Sequence, residues 1–211
     1  MQKHIIFDLD GTLIDSMPVW RNTGKTYLEN HQLPVPENLM SILKKQTLPQ
    51  TAEFFRTELG ATQSVKEICD EVISYVSEQY AHHIPLKEHV KAYLEKEKQN
   101  GTKMCILTAS EAGYIHLALE RLDILQYFDF VATCTEVGCG KDNPDVFRMM
   151  MEKLGGSVEN TVVFEDAYYA MKSAKALGLQ VYAIADASAM RETDKIKEIA
   201  DFYIHDYQEL L

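Results

Sequence analysis

The chain has little cysteine, a single tryptophan and no long apolar run. Its four cysteines (Cys69, Cys105, Cys134 and Cys139) include no C-x-x-C pair, and no His or Cys partners stand at zinc spacing around Cys134 and Cys139. That argues against a disulfide framework and against a zinc module. The thiols read as reduced, mostly buried side chains, and a cytoplasmic protein is expected. No stretch approaches the roughly 18 apolar residues that a membrane span needs. Met1 to His4 run straight into Ile5-Ile6-Phe7 and then into acidic residues, so no signal peptide is expected. Basic residues are the minority, 21 Lys and Arg against 32 Asp and Glu, for a formal net charge of −11. A surface of that sign repels nucleic-acid phosphates and anionic lipid, so neither nucleic acid nor membrane is an expected partner. It also repels an anionic substrate, unless the site gathers positive charge of its own.

What is present is the balance of a globular domain: 46% hydrophobic and 25% charged residues in a chain of 211. That length suits one ordinary core plus a subdomain, and either a monomer or a dimer. Ile5-Ile6-Phe7 is a continuous apolar run that ends in acidic residues and Gly11, as a strand buried on both faces does. Similar runs occur at residues 103–107, 128–132, 161–164, 180–184 and 202–204. Helical patterns lie between them, over 87–100 before Gly101 and over 167–177 before Gly178. The alternation predicts an α/β domain, a mainly parallel sheet flanked by helices. One stretch breaks it. From Ser16 to His83 no strand is evident, Val65, Ile68, Cys69, Val72, Ile73 and Val76 recur at helical spacing, and Pro18, Pro34, Pro36 and Pro49 mark helix starts and stops. An all-helical insertion of four helices after the first strand is expected, over residues 16–84, leaving 1–15 and 85–211 as the sheet-bearing core. The charge-rich run Lys87 to Lys98 reads as a solvated helix face.

In an open α/β sheet, ligands bind outside the carboxyl ends of the strands. The polar residues there are Asp8, Asp10 and Thr12 after the first strand, and Thr108 and Ser110 after the second. Lys141 follows the third strand in a glycine-rich loop, and Glu165 and Asp166 end the fourth. Four carboxylates on one edge repel one another, and a divalent cation relieves this. All-oxygen ligands suit a hard ion such as Mg2+. A metal and a lysine together make a site for a phosphate dianion.

These residues resemble the motifs of the haloacid dehalogenase-like superfamily, over essentially the whole chain. The motifs are Phe7-Asp8-Leu9-Asp10-Gly11-Thr12, Ile106-Leu107-Thr108-Ala109-Ser110, Gly140-Lys141 with Pro144-Asp145 behind it, and Val163-Phe164-Glu165-Asp166-Ala167. Four in order, each at a strand end, are far more specific than a lone D-x-D-G-T. The resemblance implies a Rossmann-like core and a helical cap. It implies that Asp8 is the nucleophile that forms an aspartyl-phosphate. Asp10 would protonate the leaving oxygen and then activate water. Thr108 would donate to a phosphoryl oxygen, and Lys141 would neutralise charge between Asp8 and the phosphoryl group. Backbone N–H groups of Leu9, Asp10 and Ala109 would hold the phosphate. Asp8, the Asp10 carbonyl, Asp166 and Glu165 would hold Mg2+, Glu165 directly or through water. An acid at position 10 favours phosphatases and phosphoglucomutase-like members over dehalogenases.

The implied activity is Mg2+-dependent hydrolysis of a small phosphorylated metabolite. A sugar-phosphate mutase of the beta-phosphoglucomutase type and a non-catalytic phosphate-binding regulator are the alternatives. Caps of this kind select the leaving group, and Trp20, Arg21, Lys44, Lys45 and Gln46 are the candidates, although a lone tryptophan at helical spacing also reads as core. Two departures from the usual pattern stand out. Asp142-Asn143 separate Lys141 from Pro144, where Asp142 could compete for the lysine charge, and Ala167 and Ala170 stand where Ser and Gly are common.

Overall fold

The computed structural model describes residues 2–43 and 46–211. The chain forms two compact units, one of Met1–Ser16 with Ile84–Leu211 and one of Met17–His83. In the first unit, six strands form one parallel sheet: β1 (His4–Phe7), β2 (Lys103–Thr108), β3 (Phe130–Thr133), β4 (Thr161–Glu165), β5 (Gln180–Ile184) and β6 (Phe202–Ile204). Their order is β3-β2-β1-β4-β5-β6. Connections run outward in both directions from β1, so the topological switch lies between β1 and β4, where Phe7 stands opposite Phe164. At such a switch the loops of neighbouring strands diverge and leave a crevice at the carboxyl edge.

Both faces of the sheet are buried, which is why the strands read as unbroken apolar runs. On one face Ile6, Cys105, Leu107, Val163 and Val181 pack with Phe147 and Met150 of α8 (Pro144–Leu154) and Met171 of α9 (Tyr168–Ala176), and with Ile196 of α10 (Thr193–Ile199). The other face is aromatic. Phe7 meets Phe164, Phe128 and Tyr93 of α5 (Val90–Gln99), and Phe164 stacks on Tyr182 and Tyr207. Each fully buried ring of this kind contributes about 3–5 kcal/mol against truncation to alanine.

The third strand begins at Phe130, two residues later than its apolar run suggests, because residues 125–127 form a 3-10 turn that brings Phe128 in under Phe7. The helix expected from 87 starts at Val90. Lys87 is instead in the linker, where its N–H bonds to the Leu13 carbonyl, and His89 takes a left-handed conformation before the helix. Glu97 departs from the solvated reading of this helix. It is buried, accepting from Thr102 Oγ1 at 2.6 Å and from Lys3 Nζ at 3.0 Å.

The second unit contains, among its described residues, the helices α1 (Met17–Asn30), α2 (Leu39–Leu43), α3 (Leu48–Leu59) and α4 (Val65–His82). Capping boxes at Thr47 and Ser64 start α3 and α4, and Pro49 sits in the first turn of α3, where its missing N–H costs nothing. Ile68, Val72 and Val76 are the buried stripe of α4, and Phe55, Tyr27 and Leu28 complete the small core. Trp20 is not core. It is 38% exposed, with its indole N–H donating to the Tyr80 hydroxyl at 2.8 Å. Arg21 is exposed, and Lys44 and Lys45 lie outside the described residues. Among the described residues no helix is long and apolar enough to cross a membrane.

Candidate active site

The end of β1 is extended by a tight loop. The Leu9 carbonyl accepts from the N–H groups of Leu13 and Ile14 at 2.8 and 3.0 Å, and Gly11 turns the chain at φ +82°, a conformation that side chains rarely take. Asp8 is pinned by its N–H donating to the Phe164 carbonyl at 2.9 Å. The strand pairing then sets β2 and β4 on either side, so Thr108 and Glu165 arrive beside Asp8 and Asp10 by register alone.

Lys141 reaches this edge from the loop before α8 and is buried. Its ammonium group donates to Asp8 Oδ1 and, at 2.9 Å, to Glu165 Oε2. The inserted Asp142-Asn143 does not displace it. Asn143 caps α8, Pro144 opens the helix, and the Asp142 carboxylate folds back over Gly140 and stays exposed. Glu165 spends its other oxygen on the N–H groups of Asp166 and Ala167, at 3.2 and 3.1 Å.

Asp8, Glu165 and Asp166 are all buried, and each offers a carboxylate oxygen within 4.8 Å of the other two. Burial pushes the Asp8 carboxyl up to about 7, and Glu165 adds to this while Lys141 opposes it. Burial likewise holds Asp166 well above the usual carboxylate range, with Asp8, Glu165 and Asp186 contributing. Lys141 is pushed upward by Asp8 and Glu165 although its own burial works the other way. Three carboxylates against one ammonium leave two negative charges in excess when all are ionised. A divalent cation matches that excess, and the donors are all oxygen. Asp8 Oδ2 is buried without a hydrogen-bond partner among the described residues, a cost that a bound cation or phosphoryl group removes. The residues present therefore fit Mg2+. Asp8, Glu165 and Asp166 are the side chains that would hold it, and the ion would supply charge neutralisation at the phosphoryl oxygens.

Asp10 is held differently, by hydroxyls. Ser16 Oγ donates to Oδ1 at 2.6 Å, and Ser110 Oγ and Thr108 Oγ1 donate to Oδ2 at 2.7 and 3.3 Å. Leu9 is buried and Ala109 is exposed at the tip of the loop after β2. The structure thus brings Asp8, Asp10, Thr108, Lys141, Glu165 and Asp166 to one edge. The pairing of Glu165 with Lys141 was not apparent from the motifs, and neither was the clamp on Asp10 by Ser16. Ser16 carried a faint signal, as the last residue of the first motif's extension.

Known proteins resemble this chain in sequence and in fold. The family model for haloacid dehalogenase-like hydrolases matches residues 5–184. A phosphorylated carbohydrates phosphatase of Thermotoga maritima is 27% identical over 203 residues, covering 91% of each chain. A fructose-1-phosphate phosphatase of Escherichia coli is 27% identical, covering 83% of this chain and 92% of its own length. The crystal structure of CbbY from Rhodobacter sphaeroides in complex with phosphate superposes with a TM-score of 0.79 at 20% identity, covering 100% of this chain and 96% of the other. At that identity the last likeness speaks for the fold alone. The matched model spans most of the sequence and all four strand-end motifs, and the chain belongs to the haloacid dehalogenase-like hydrolase family.

Proposed function

We propose that this protein is a Mg2+-dependent phosphatase that hydrolyses a small phosphorylated metabolite, of the phosphorylated-carbohydrate class, through an aspartyl-phosphate on Asp8. The observation that carries the reading is the state of Asp8. One oxygen is tethered by Lys141 and the other is buried with no partner among the described residues, beside an acid, Asp10, held on a separate set of donors. A structural carboxylate satisfies both its oxygens, whereas a nucleophile keeps one for its electrophile.

In the first half-reaction the Asp8 carboxylate forms a bond to phosphorus as the bond to the leaving oxygen breaks, and Asp10 gives that oxygen its proton. In the second, Asp10 takes a proton from water, the water oxygen bonds to phosphorus, and the Asp8–phosphorus bond breaks to release inorganic phosphate. Lys141, Thr108 and the backbone N–H groups of Leu9, Asp10 and Ala109 hold the phosphoryl oxygens, and their fixed placement lowers the barrier without reorganisation. When bound, Mg2+ adds neutralising charge at the same oxygens. On this reading Trp20, Arg21 and Lys45 of the helical unit are candidates for substrate selection. The names of the relatives support the carbohydrate class, since two act on phosphorylated sugars by description.

The test is phosphate release from a panel of sugar and polyol monophosphates, with and without Mg2+. Turnover that needs Mg2+ and vanishes in Asp8→Asn supports the reading. Transfer of the phosphoryl group between substrate hydroxyls without release points to a mutase instead. Phosphate binding with no turnover of any ester, an aryl phosphate included, sinks the enzymatic reading.

A further inference from the structure

Two of the free cysteines, Cys134 and Cys139, are brought together by one turn. Cys134 opens the short helix α7 (Cys134–Val137), and Cys139 is the second residue beyond its end. Between them Gly138 reverses the chain at φ +72°. Two hydrogen bonds close the turn. The Cys139 N–H donates to the Cys134 carbonyl at 3.2 Å, and the Gly138 N–H donates to the Thr135 carbonyl at 3.3 Å. Numbered from Cys134, these are the six-to-one and five-to-two bonds of a Schellman motif, whose first and last side chains commonly meet. Here those side chains are the two cysteines, and both pack on the same buried cluster of the sheet-bearing unit. A six-residue turn closed in this way brings its end Cα atoms into the span that a disulfide bridges, about 4.4–6.8 Å.

The turn is also held from its other side. Thr133 and Glu136 form a capping box, the Thr133 N–H donating to Glu136 Oε2 and the Glu136 N–H to Thr133 Oγ1, both at 3.1 Å. The Thr135 hydroxyl donates to Glu111 Oε1 at 2.9 Å, which ties the turn to the loop after β2. Bridging the two sulfurs therefore asks for side-chain rotation on a backbone that is already closed. Both thiols are half-buried, whereas Cys105 is sealed inside the sheet. Access of this kind separates reactive thiols from inert ones.

We propose that Cys134 and Cys139 are a dithiol modification site, which hydrogen peroxide converts to an intramolecular disulfide. One sulfur, as thiolate, bonds to a peroxide oxygen as the O–O bond breaks, giving a sulfenic acid and water. The second thiol attacks that sulfur, the S–S bond forms, the S–O bond breaks, and a second water leaves. Two thiols are oxidised by two electrons and one peroxide is reduced. A dithiol reductant reverses the step by exchange. The pair stands just before Lys141 in the chain, in the segment that delivers the ammonium group to Asp8 and Glu165, so the modification falls beside the cation of the site.

The test treats the folded, full-length protein with a small excess of hydrogen peroxide, then blocks remaining thiols with N-ethylmaleimide in urea. The chain is cut with trypsin and weighed by mass spectrometry. Both cysteines fall in one tryptic peptide, residues 122–141. Expected is a peptide lighter by two hydrogens, with neither cysteine alkylated, while Cys69 and Cys105 are alkylated, and dithiothreitol restores both alkylation sites. In Cys134→Ser or Cys139→Ser the remaining sulfur has no partner to resolve it, so dimedone traps a sulfenic acid there that it does not trap in the parent. Two alkylated thiols in the peptide after peroxide overturn the proposal. So do separate sulfinic acids on the two cysteines, or a bridge to Cys69 or to a second chain. The readout is a mass, so it stands or falls independently of the proposed hydrolysis.

Discussion

Replacing Lys141 with methionine removes the cation shared by Asp8 and Glu165 while keeping a side chain of similar reach. Deleting one partner of a buried ion pair costs about 3–5 kcal/mol, because the other charge is left in a low-dielectric setting. Here one ammonium serves two carboxylates, both buried, so the upper part of that range applies when both are ionised. In a chain of this size a loss of that order lowers Tm by about 10–15 °C. The cost depends on pH, and its sign follows from Asp8. With Lys141 in place, its carboxyl sits at about 7, above the ordinary 3.8. Lys141 is one of the influences that hold it down, so its removal sends Asp8 higher still. At pH 8 the variant must bury an uncompensated carboxylate or protonate it against the solution, and the full penalty is felt. At pH 5 Asp8 binds its proton and its share of the penalty disappears, while that of Glu165 stays. Thermal and urea unfolding of both proteins in a metal chelator, at pH 5 and pH 8, measures this. We expect the gap at pH 5 to be clearly smaller than the gap at pH 8. Equal gaps at the two pH values would refute the charge argument and leave Lys141 as a packing residue.

Magnesium itself should act in the same sense. In the metal-free protein the raised Asp8 makes the folded state bind more protons than the unfolded one between pH 3.8 and about 7, so stability falls as pH rises through that window. Mg2+ competes with that proton, so its stabilising effect on Tm grows from pH 5 to pH 8, and an equal shift at both would argue against Asp8 as a ligand. Asp10→Asn keeps the nucleophile but loses the acid and base, so we expect it to accumulate phospho-enzyme from acetyl phosphate and to release it at least about 100-fold more slowly, as the loss of a general base predicts; release at the parent rate would reassign that role. Far from the site, Glu97→Gln tests a buried pair. Burial raises the Glu97 carboxyl, but hydrogen bonds from Thr102 and Lys3 outweigh it and hold it below 4.5. Its contribution, about 1 kcal/mol, is therefore present above pH 4.5 and is lost as the pH falls through the lowered folded value. The variant and the parent should differ in urea midpoint at pH 7, and the difference should shrink as the pH falls into the acid range.

Much of the molecule was legible before any coordinates. Strands buried on both faces are written as unbroken apolar runs, so β1, β2, β4, β5 and β6 could be read within a residue or two. The start of β3 could not, because Phe128 is as apolar as Phe130 and only its packing under Phe7 sets it outside the strand. Trp20 was ambiguous for a similar reason, since helical spacing does not say which face of α1 is covered.

The strand-end motifs determined by themselves that Asp8, Asp10, Thr108, Lys141, Glu165 and Asp166 share one edge, because in a parallel sheet every strand delivers its carboxyl end to the same side. What each does once there was decided only by the tertiary structure. Lys141 serves Glu165 as well as Asp8, and Asp10 is clamped by Ser16 and Ser110. These are relations between side chains from different loops, and hydrogen bonds of 2.6–3.3 Å depend on rotamers and backbone turns. Sequence order carries no record of such angles, and the three-dimensional fold alone sets them.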